Sequence, residues 1–415
     1  MTDTRAVVTG DLGQRRGFFG TGETTEVRPK TYFLATFANM SAFETDDGLL
    51  LVDTSIRQFA EANRDAIRRL TTTPCHTIVY THGHVDHAFG TGPWLDEALA
   101  NKRAKPRVVA HENVVDRFKT YRRMSGLNEH INGVQFGFDN VAWPEEYFWP
   151  DVVYSDAITL RIGGERFELR HGKGETADAT WVWAPDRGVV CTGDFWIGCA
   201  PNCGNPQKVQ RYPEEWADAL ETMAALGPEV LLPGHGPLID GVDAVRTALL
   251  DAAAYLRSIV EQTVDALNRG LPHEQVVASV RVPDDLAAKP YLQPVYDRPE
   301  FIVRNLIRRL GGWWDGMPAD LLPAAPAARA REIASLAGGV HRLVERAGQL
   351  AGTDIALACH LAEWAATADP ADAAAQECVR DVFRARAEGE VSLMGRGIFM
   401  HAVRTAEKTL EGRGA

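Results

Sequence analysis

The stretch Tyr80–Gly90, YTHGHVDHAFG, limits this chain more than any other: three histidines and an aspartate fall within six residues, directly after the apolar run Thr77–Tyr80. A short β-branched run followed by such a cluster reads as a strand that ends in a loop rich in metal donors. His82 and His84 are two apart, so in extended backbone their imidazoles project to one side. Asp86 and His87 follow where the chain turns toward a helix that Pro93 helps to start. Imidazole and carboxylate donors held by one loop suit divalent ions of borderline softness. A polar loop with incidental histidines would not gather four donors at a strand end.

Further donors are expected at other strand ends. VVCTGD closes on Asp194 and VLLPGHG on His235, each after an apolar run and a glycine. Taken singly, an aspartate after Thr-Gly reads as a turn residue and a lone histidine as an exposed one. Around them the first ~240 residues read as short strands with interleaved helices. TYFLATF and GLLLVDTS flank the turn signal Asp46-Asp47-Gly48, a hairpin. HTIVY, RVVA, AITLRIGGERFELRHG and TWVWAP add further strands, and PEEWADALETMAALG reads as a helix running from Pro213 to a stop at Gly227. After about Asp240 the texture changes to long, alanine-rich amphipathic helices, with Ile333, Leu336, Val340, Leu343, Val344, Ala347 and Leu350 at spacings of three and four. The expected division is an N-terminal extension over 1–30, a catalytic domain over 31–242 and a helical domain over 243–415.

Charge narrows the partners. With 44 basic against 56 acidic residues among 415, the formal net charge is -12, which opposes phosphate backbones and anionic membranes. No nucleic acid or membrane partner is therefore expected. The N-terminus lacks an apolar signal region, and no apolar run reaches the ~18 residues of a spanning helix, so a cytoplasmic location is expected. Six cysteines are scattered along the chain. They read as reduced and buried, with a Cys199–Cys203 link as the lesser alternative.

Taken together and in order, the donors form H-x-H-x-D-H … D … H, and here the chain resembles the metallo-β-lactamase superfamily. That resemblance implies an α+β fold, a four-layered αβ/βα sandwich holding two divalent ions, followed here by an all-α helical domain. Where the superfamily places a histidine in Gly-His-Thr, this chain has Gly174-Glu175-Thr176, so Glu175 takes the slot, with His171 as the competing donor. Three bound carboxylates make the site harder, admitting manganese or iron beside zinc.

Glu175 is also the feature shared with the dinuclear alkylsulfatases. NMSAFETDDGLLLVDTS, SGLNEHINGVQFG and RPEFIVRNLIRRLGGWWDGMPADLLP resemble their opening strands, their N-x-x-I-N-x-x-Q-F-G segment and the start of their dimerisation domain. The resemblance implies a homodimer and a sulfate ester or related small anionic ester as substrate. It also implies one ion on His82, His84 and Glu175, another on Asp86, His87 and His235, and Asp194 bridging them, with Asp86 and Asp194 as catalytic carboxylates. Asn128, Asn132, Lys208 and Arg211 would hold the substrate, and His171 and Asp178 would orient donors from behind. Tyr121, His130, Trp313 and Trp314 are pocket candidates, although the two tryptophans suit a core or domain interface better.

Three departures stand beside this. The bridging residue is Asp194 rather than glutamate, FWIGCAPNCGNPQKVQRY lacks the histidines expected to protonate a leaving alcohol, and the sequence stops without a lipid-carrier-like module. A substrate shorter or more polar than a detergent is the expectation. The alternatives are a lactonase, thioesterase or phosphodiesterase with the same nucleophile, or an assembly protein that metals merely stabilise.

Overall fold

The computed structural model describes residues 21–137 and 141–412. Two sheets face each other. The first runs β1 (Thr24–Arg28), β2 (Thr31–Leu34), β3 (Met40–Thr45), β4 (Gly48–Val52), β5 (Cys75–Val79), β6 (Arg107–His111) and β7 (Val152–Tyr154) in spatial order. Its first half is an antiparallel meander and β4 to β7 are parallel. The second sheet holds β8 (Ala157–Ile162), β9 (Glu165–His171), β10 (Thr180–Ala184), β11 (Val189–Gly193), β12 (Val230–Pro233) and β13 (Ile239–Asp240), with β11 and β12 parallel.

The parallel strands read as unbroken apolar runs because both of their faces are covered. In β4, Leu50 and Val52 point into the layer between the sheets, where they meet Phe167, Leu169 and Val182. Leu49 and Leu51 point the other way, onto Ile67, Trp94 and Phe118 from the helices Ala60–Arg68, Gly92–Ala100 and Asn113–Arg123. On the second sheet Trp181, Val190 and Leu231 carry Trp216 and Leu220 of the helix Pro213–Ala225. Each such side chain contributes about 1.5–3 kcal/mol by leaving water. The result is the four-layered αβ/βα sandwich, with a helical region after it.

The hairpin expectation needs correction, and two features bear on the expected division. The hairpin around Asp46-Asp47 pairs β3 with β4, Thr45 opposite Gly48, and TYFL forms the next strand out. The expected N-terminal extension contributes Thr24–Arg28 as an edge strand, and the rest of it, up to residue 20, lies outside the described residues. The boundary at 242 is not a structural seam: the helices Val242–Asn268 and Pro299–Gly311 bury Leu249, Leu256, Ile302 and Leu306 in the same core as Trp181 and Trp216. A separate core begins later, where the helices Val340–Leu350, Ile355–Ala368, Ala373–Glu388 and Leu393–Glu411 pack around Ala347, Ala362, Phe383 and Val403.

That bundle is tied back to the sandwich through the segment 295–298, and its last helix also packs against the helix Ser125–Phe136. The Leu393 N–H donates to the Val295 carbonyl at 2.9 Å and the Ser392 hydroxyl to the Tyr296 carbonyl at 2.8 Å. Arg298 forms an ion pair with Glu390 at 2.9 Å. All six cysteines are free thiols, so the Cys199–Cys203 link is not formed.

Candidate metal centre

The donors converge because the C-terminal ends of β5, β11 and β12 meet at one edge of the sandwich. His82 and His84 leave β5, Asp194 follows β11, His235 follows β12, and Glu175 lies in the loop joining β9 to β10. Glycine makes the approach between strand ends: at Gly193 (φ +51°) a Cβ would lie 2.7 Å from Thr81 Cβ, and at Gly234 it would overlap Asp194 Oδ1. Larger residues at either position would separate the strand ends and spread the donors.

Two groups of donors result, each with its ligand atoms within 4.8 Å of one another: His82, His84, Glu175 and Asp194, and Asp86, His87 and His235. Asp194 touches both, with Oδ2 3.7 Å from His82 Nε2 and Oδ1 3.3 Å from His87 Nε2 and 3.7 Å from His235 Nε2. His84 Nδ1 is 2.9 Å from His82 Nε2 and 3.8 Å from Glu175 Oε1. Asp86 Oδ2 lies 3.4 Å from His235 Nε2.

The rear faces of the imidazoles are tied down. His87 Nδ1 meets Asp53 Oδ2 at 2.8 Å, and His235 Nδ1 donates to the Phe37 carbonyl at 2.7 Å. An imidazole held from behind by a carboxylate or carbonyl presents its other nitrogen in a fixed direction.

These residues fit divalent cations. His87 Nε2 and Asp194 Oδ1 are buried without a hydrogen-bond partner. Such buried orphans are rare unless something is meant to occupy the space they face. The electrostatics agree. Burial pushes the Glu175 carboxyl well above the usual carboxylate range; Arg211 draws it down, but nearby Asp194 and Asp86 push it back up. Burial also holds the His82 imidazole down, to about 4, so it presents a neutral nitrogen. The His87 and His235 imidazoles go the other way: burial lowers them, but Asp194 and Asp86 outweigh it and draw both up. Buried carboxylates crowded around imidazoles call for positive charge between them.

The remaining site candidates fall into distinct places. His171 stacks on His111 at 3.7 Å with Nδ1 2.9 Å from the Ala179 carbonyl, and it belongs to neither donor group. Asp178 accepts the Gly83 N–H at 2.9 Å and pairs with Arg117 at 2.7 Å, clamping the turn between His82 and His84. Arg211, 1% exposed, donates to the Glu175 carbonyl and reaches Glu175 Oε1 at 3.1 Å, so its guanidinium is committed to Glu175.

Asn128 and Asn132 sit on a helix, Ser125–Phe136, rather than in a loop, and each side-chain amide donates to the carbonyl four residues back. Asn132 Oδ1 also accepts from Lys208 Nζ at 3.1 Å. Burial lowers the Lys208 ammonium to about 8, helped by Arg211 and opposed by Asp86 and Glu175. Tyr121 packs on Trp143, and His130 lies on the far side of that helix, beside His401. Trp313 and Trp314, expected in a core or interface within the chain, are 72% and 41% exposed.

Comparison with known proteins bears on the family. A model of the metallo-beta-lactamase superfamily matches residues 35–235, the span that carries every donor, and one named alkyl sulfatase dimerisation matches residues 273–409. The sandwich thus matches the metallo-β-lactamase superfamily, and with the second match the chain resembles its alkylsulfatase branch. It is 28% identical over 400 residues to a linear primary-alkylsulfatase of a Pseudomonas strain, covering 89% of this chain and 74% of that one. It is 25% identical over 352 residues to an (R)-specific secondary-alkylsulfatase of Pseudomonas sp., covering 77% of this chain and 53% of the relative. The fold matches that of the stereoselective inverting sec-alkylsulfatase of Pseudomonas sp. with a TM-score of 0.83 at 24% identity, over 93% of this chain and 66% of the other. The chain thus spans three quarters of one curated relative and about half of the next.

Several members of this superfamily site escape the motif. Asp53 follows β4 in a left-handed conformation (φ +60°) and accepts from the Thr81 N–H and hydroxyl, both at 2.7 Å, as well as meeting His87. Its signal was the one used for Asp194, an aspartate closing an apolar strand. Asn202 donates to Glu175 Oε1 at 2.6 Å, and Gln135 donates to the Tyr296 hydroxyl at 2.9 Å. Asn202 had no local signal, whereas Gln135 is the glutamine of the N-x-x-I-N-x-x-Q-F-G segment. Among the described residues no helix is long and apolar enough to cross a membrane.

Proposed function

We propose that the chain hydrolyses a sulfate ester, ROSO3⁻ and water giving ROH and hydrogen sulfate. His82, His84, Glu175 and Asp194 would hold one divalent ion, and Asp86, His87, His235 and Asp194 the other. Zinc is the first choice for both, with manganese or iron as alternatives. The observation that carries the reading is the pair of donor groups joined at Asp194, with buried orphan atoms facing the gap. Divalent ions bound there act as Lewis acids and lower the pKa of water toward about 7.

The protein's own groups supply the rest. Asp86 and Asp194 provide the negative charge that keeps two cations near each other. Asp53 and Phe37 aim two imidazoles from behind, Asp178 holds the His82–His84 turn, and Arg211 with Asn202 fixes Glu175. Lys208, steered by Asn132, is the cation available to the sulfate oxygens. Still charged at neutral pH, it also carries a proton that the departing alkoxide can take in place of the missing histidines. Asn128 holds that helix rather than the substrate directly.

The alkyl sulfatase dimerisation match supports a homodimer. The strap after the helix Pro299–Gly311 exposes Trp313, Met317 (59%) and Leu322 (89%), an apolar surface suited to a second copy.

The test is a panel of alkyl sulfates, lactones, thioesters and phosphodiesters given to protein reconstituted with each metal. Sulfate release is expected from at least one sulfate ester and is abolished by His82→Ala with Asp194→Ala. Turnover of a lactone or phosphodiester with no sulfate released from any ester overturns the reading.

A further inference from the structure

Glu175 is held from behind by two side chains. Asn202 Nδ2 donates to Glu175 Oε1 at 2.6 Å, and Arg211 reaches the same oxygen at 3.1 Å. Both belong to the long connection between β11 and the helix Pro213–Ala225, residues 194–212, which contains neither helix nor strand. Such a segment fixes a metal donor only if something outside it fixes the segment first.

One helix does so. Pro299–Gly311 buries Ile302, Val303, Leu306 and Ile307 in the core under the second sheet, and at 100° per residue Asn305 falls at the edge of that stripe. Asn305 is buried, and its amide faces Arg211: Oδ1 accepts the Arg211 N–H at 3.1 Å, and Nδ2 donates to the Arg211 carbonyl at 3.1 Å. The same Oδ1 accepts from Gln210 Nε2 at 2.9 Å. An amide that pairs with both backbone groups of one residue grips it as a neighbouring strand would.

A second arm starts just before the helix. Asp297 is wholly buried, and its carboxylate accepts the N–H groups of Gly204 and Cys203 and, at 2.7 Å, that of Arg298. Burial raises this carboxyl to about 7 against the pull of those N–H groups and of Arg211. Gly204 permits the approach: a Cβ there would overlap the Phe301 carbonyl and the Ile302 nitrogen, in the first turn of the helix. Asn202, two residues before Gly204, is thereby seated against Glu175.

We propose that Asn305 and Asp297 are positioning residues for the metal centre, setting Glu175 through Arg211 and Asn202 respectively. Neither is itself a donor. The inference rests on the reading of Glu175 as a metal donor and is independent of which ester is cleaved.

Metal binding to the full-length protein tests it without reference to turnover. Asn305→Leu and Asp297→Asn are each expected to weaken one of the two ions by about tenfold in competition with a chromogenic chelator, leaving the other at wild-type affinity. With cobalt(II) bound, the visible bands of the weakened ion should shift, which a change in stability alone would not produce. In a Glu175→Ala background neither substitution should weaken that ion further. Should Asn305→Leu fail to fold, Asn305→Asp takes its place, since it keeps the acceptor for the Arg211 N–H and loses the donor to the Arg211 carbonyl. Wild-type affinity for both ions in either variant overturns the proposal, as do equal losses at the two ions or further loss in the Glu175→Ala background. Full affinity for both ions in Glu175→Ala alone overturns it together with the donor reading beneath it, so the two failures are told apart.

Discussion

Asp53 shows how much of a metal centre lies behind its donors. It holds His87 Nδ1 at 2.8 Å while accepting two hydrogen bonds from Thr81, so it sets both the ring and the turn that starts the histidine loop. Asp53→Ala should leave the fold intact and weaken metal affinity about 10- to 100-fold, read by competition with a chromogenic chelator. Lys208 offers a pH test. Its ammonium titrates at about 8, lowered by burial, so the cation is present below that pH and lost above it. KM for an anionic ester should rise as pH passes about 8, and Lys208→Met should raise KM by roughly tenfold, about 1.4 kcal/mol, at pH 7 and remove that limb. A flat KM across pH 7–9 in the wild type would remove Lys208 from substrate binding. The contrast between these residues explains what the sequence made legible. His82, His84, Asp86 and His87 are adjacent in the chain and announce themselves. Arg211 looked like a substrate contact because its charge was visible, whereas the Glu175 carboxylate that occupies it is distant in sequence.

Strand ends and one helix do the positioning at the next scale. The glycines of CTGD and PGHG let β11 and β12 close on the histidine loop, and Gly234 lies against the Asp194 carboxylate. Gly234→Ala should displace Asp194 and lose at least one ion per chain by elemental analysis, while circular dichroism stays native. Full metal content in that variant would show that the strand ends can yield. The strands themselves were readable because burial on both faces leaves apolar runs, as in GLLLV and VLLP. Their pairing was less so: TYFL and MSAFET are both good strands, and only the two-residue turn decides which one neighbours β4. The Asn128 segment stood out in the sequence only by its motif; it is a helix that packs against the C-terminal helix.

At the scale of the molecule, the core under the second sheet continues past residue 242. Val242–Asn268 is as amphipathic as a bundle helix, and periodicity cannot tell which hydrophobic surface its stripe will cover. Here it covers the second sheet. The exposed strap gives a prediction of its own: Trp313→Ser with Leu322→Ser should shift the protein from dimer toward monomer by sedimentation at micromolar concentration, leaving each chain folded. An unchanged dimer would move the contact elsewhere on the helical region. The tie between the two parts has a consequence for recombination. Tyr296, whose carbonyl anchors Ser392 and whose hydroxyl meets Gln135, lies in a segment that belongs by sequence to the second part and by position to the first. A chimera built by swapping everything after the sandwich would exchange Tyr296, whose hydroxyl feels Glu175 and Asp86, along with the proposed assembly surface. Selectivity and partnership in such proteins would then be inherited together rather than shuffled as separate parts.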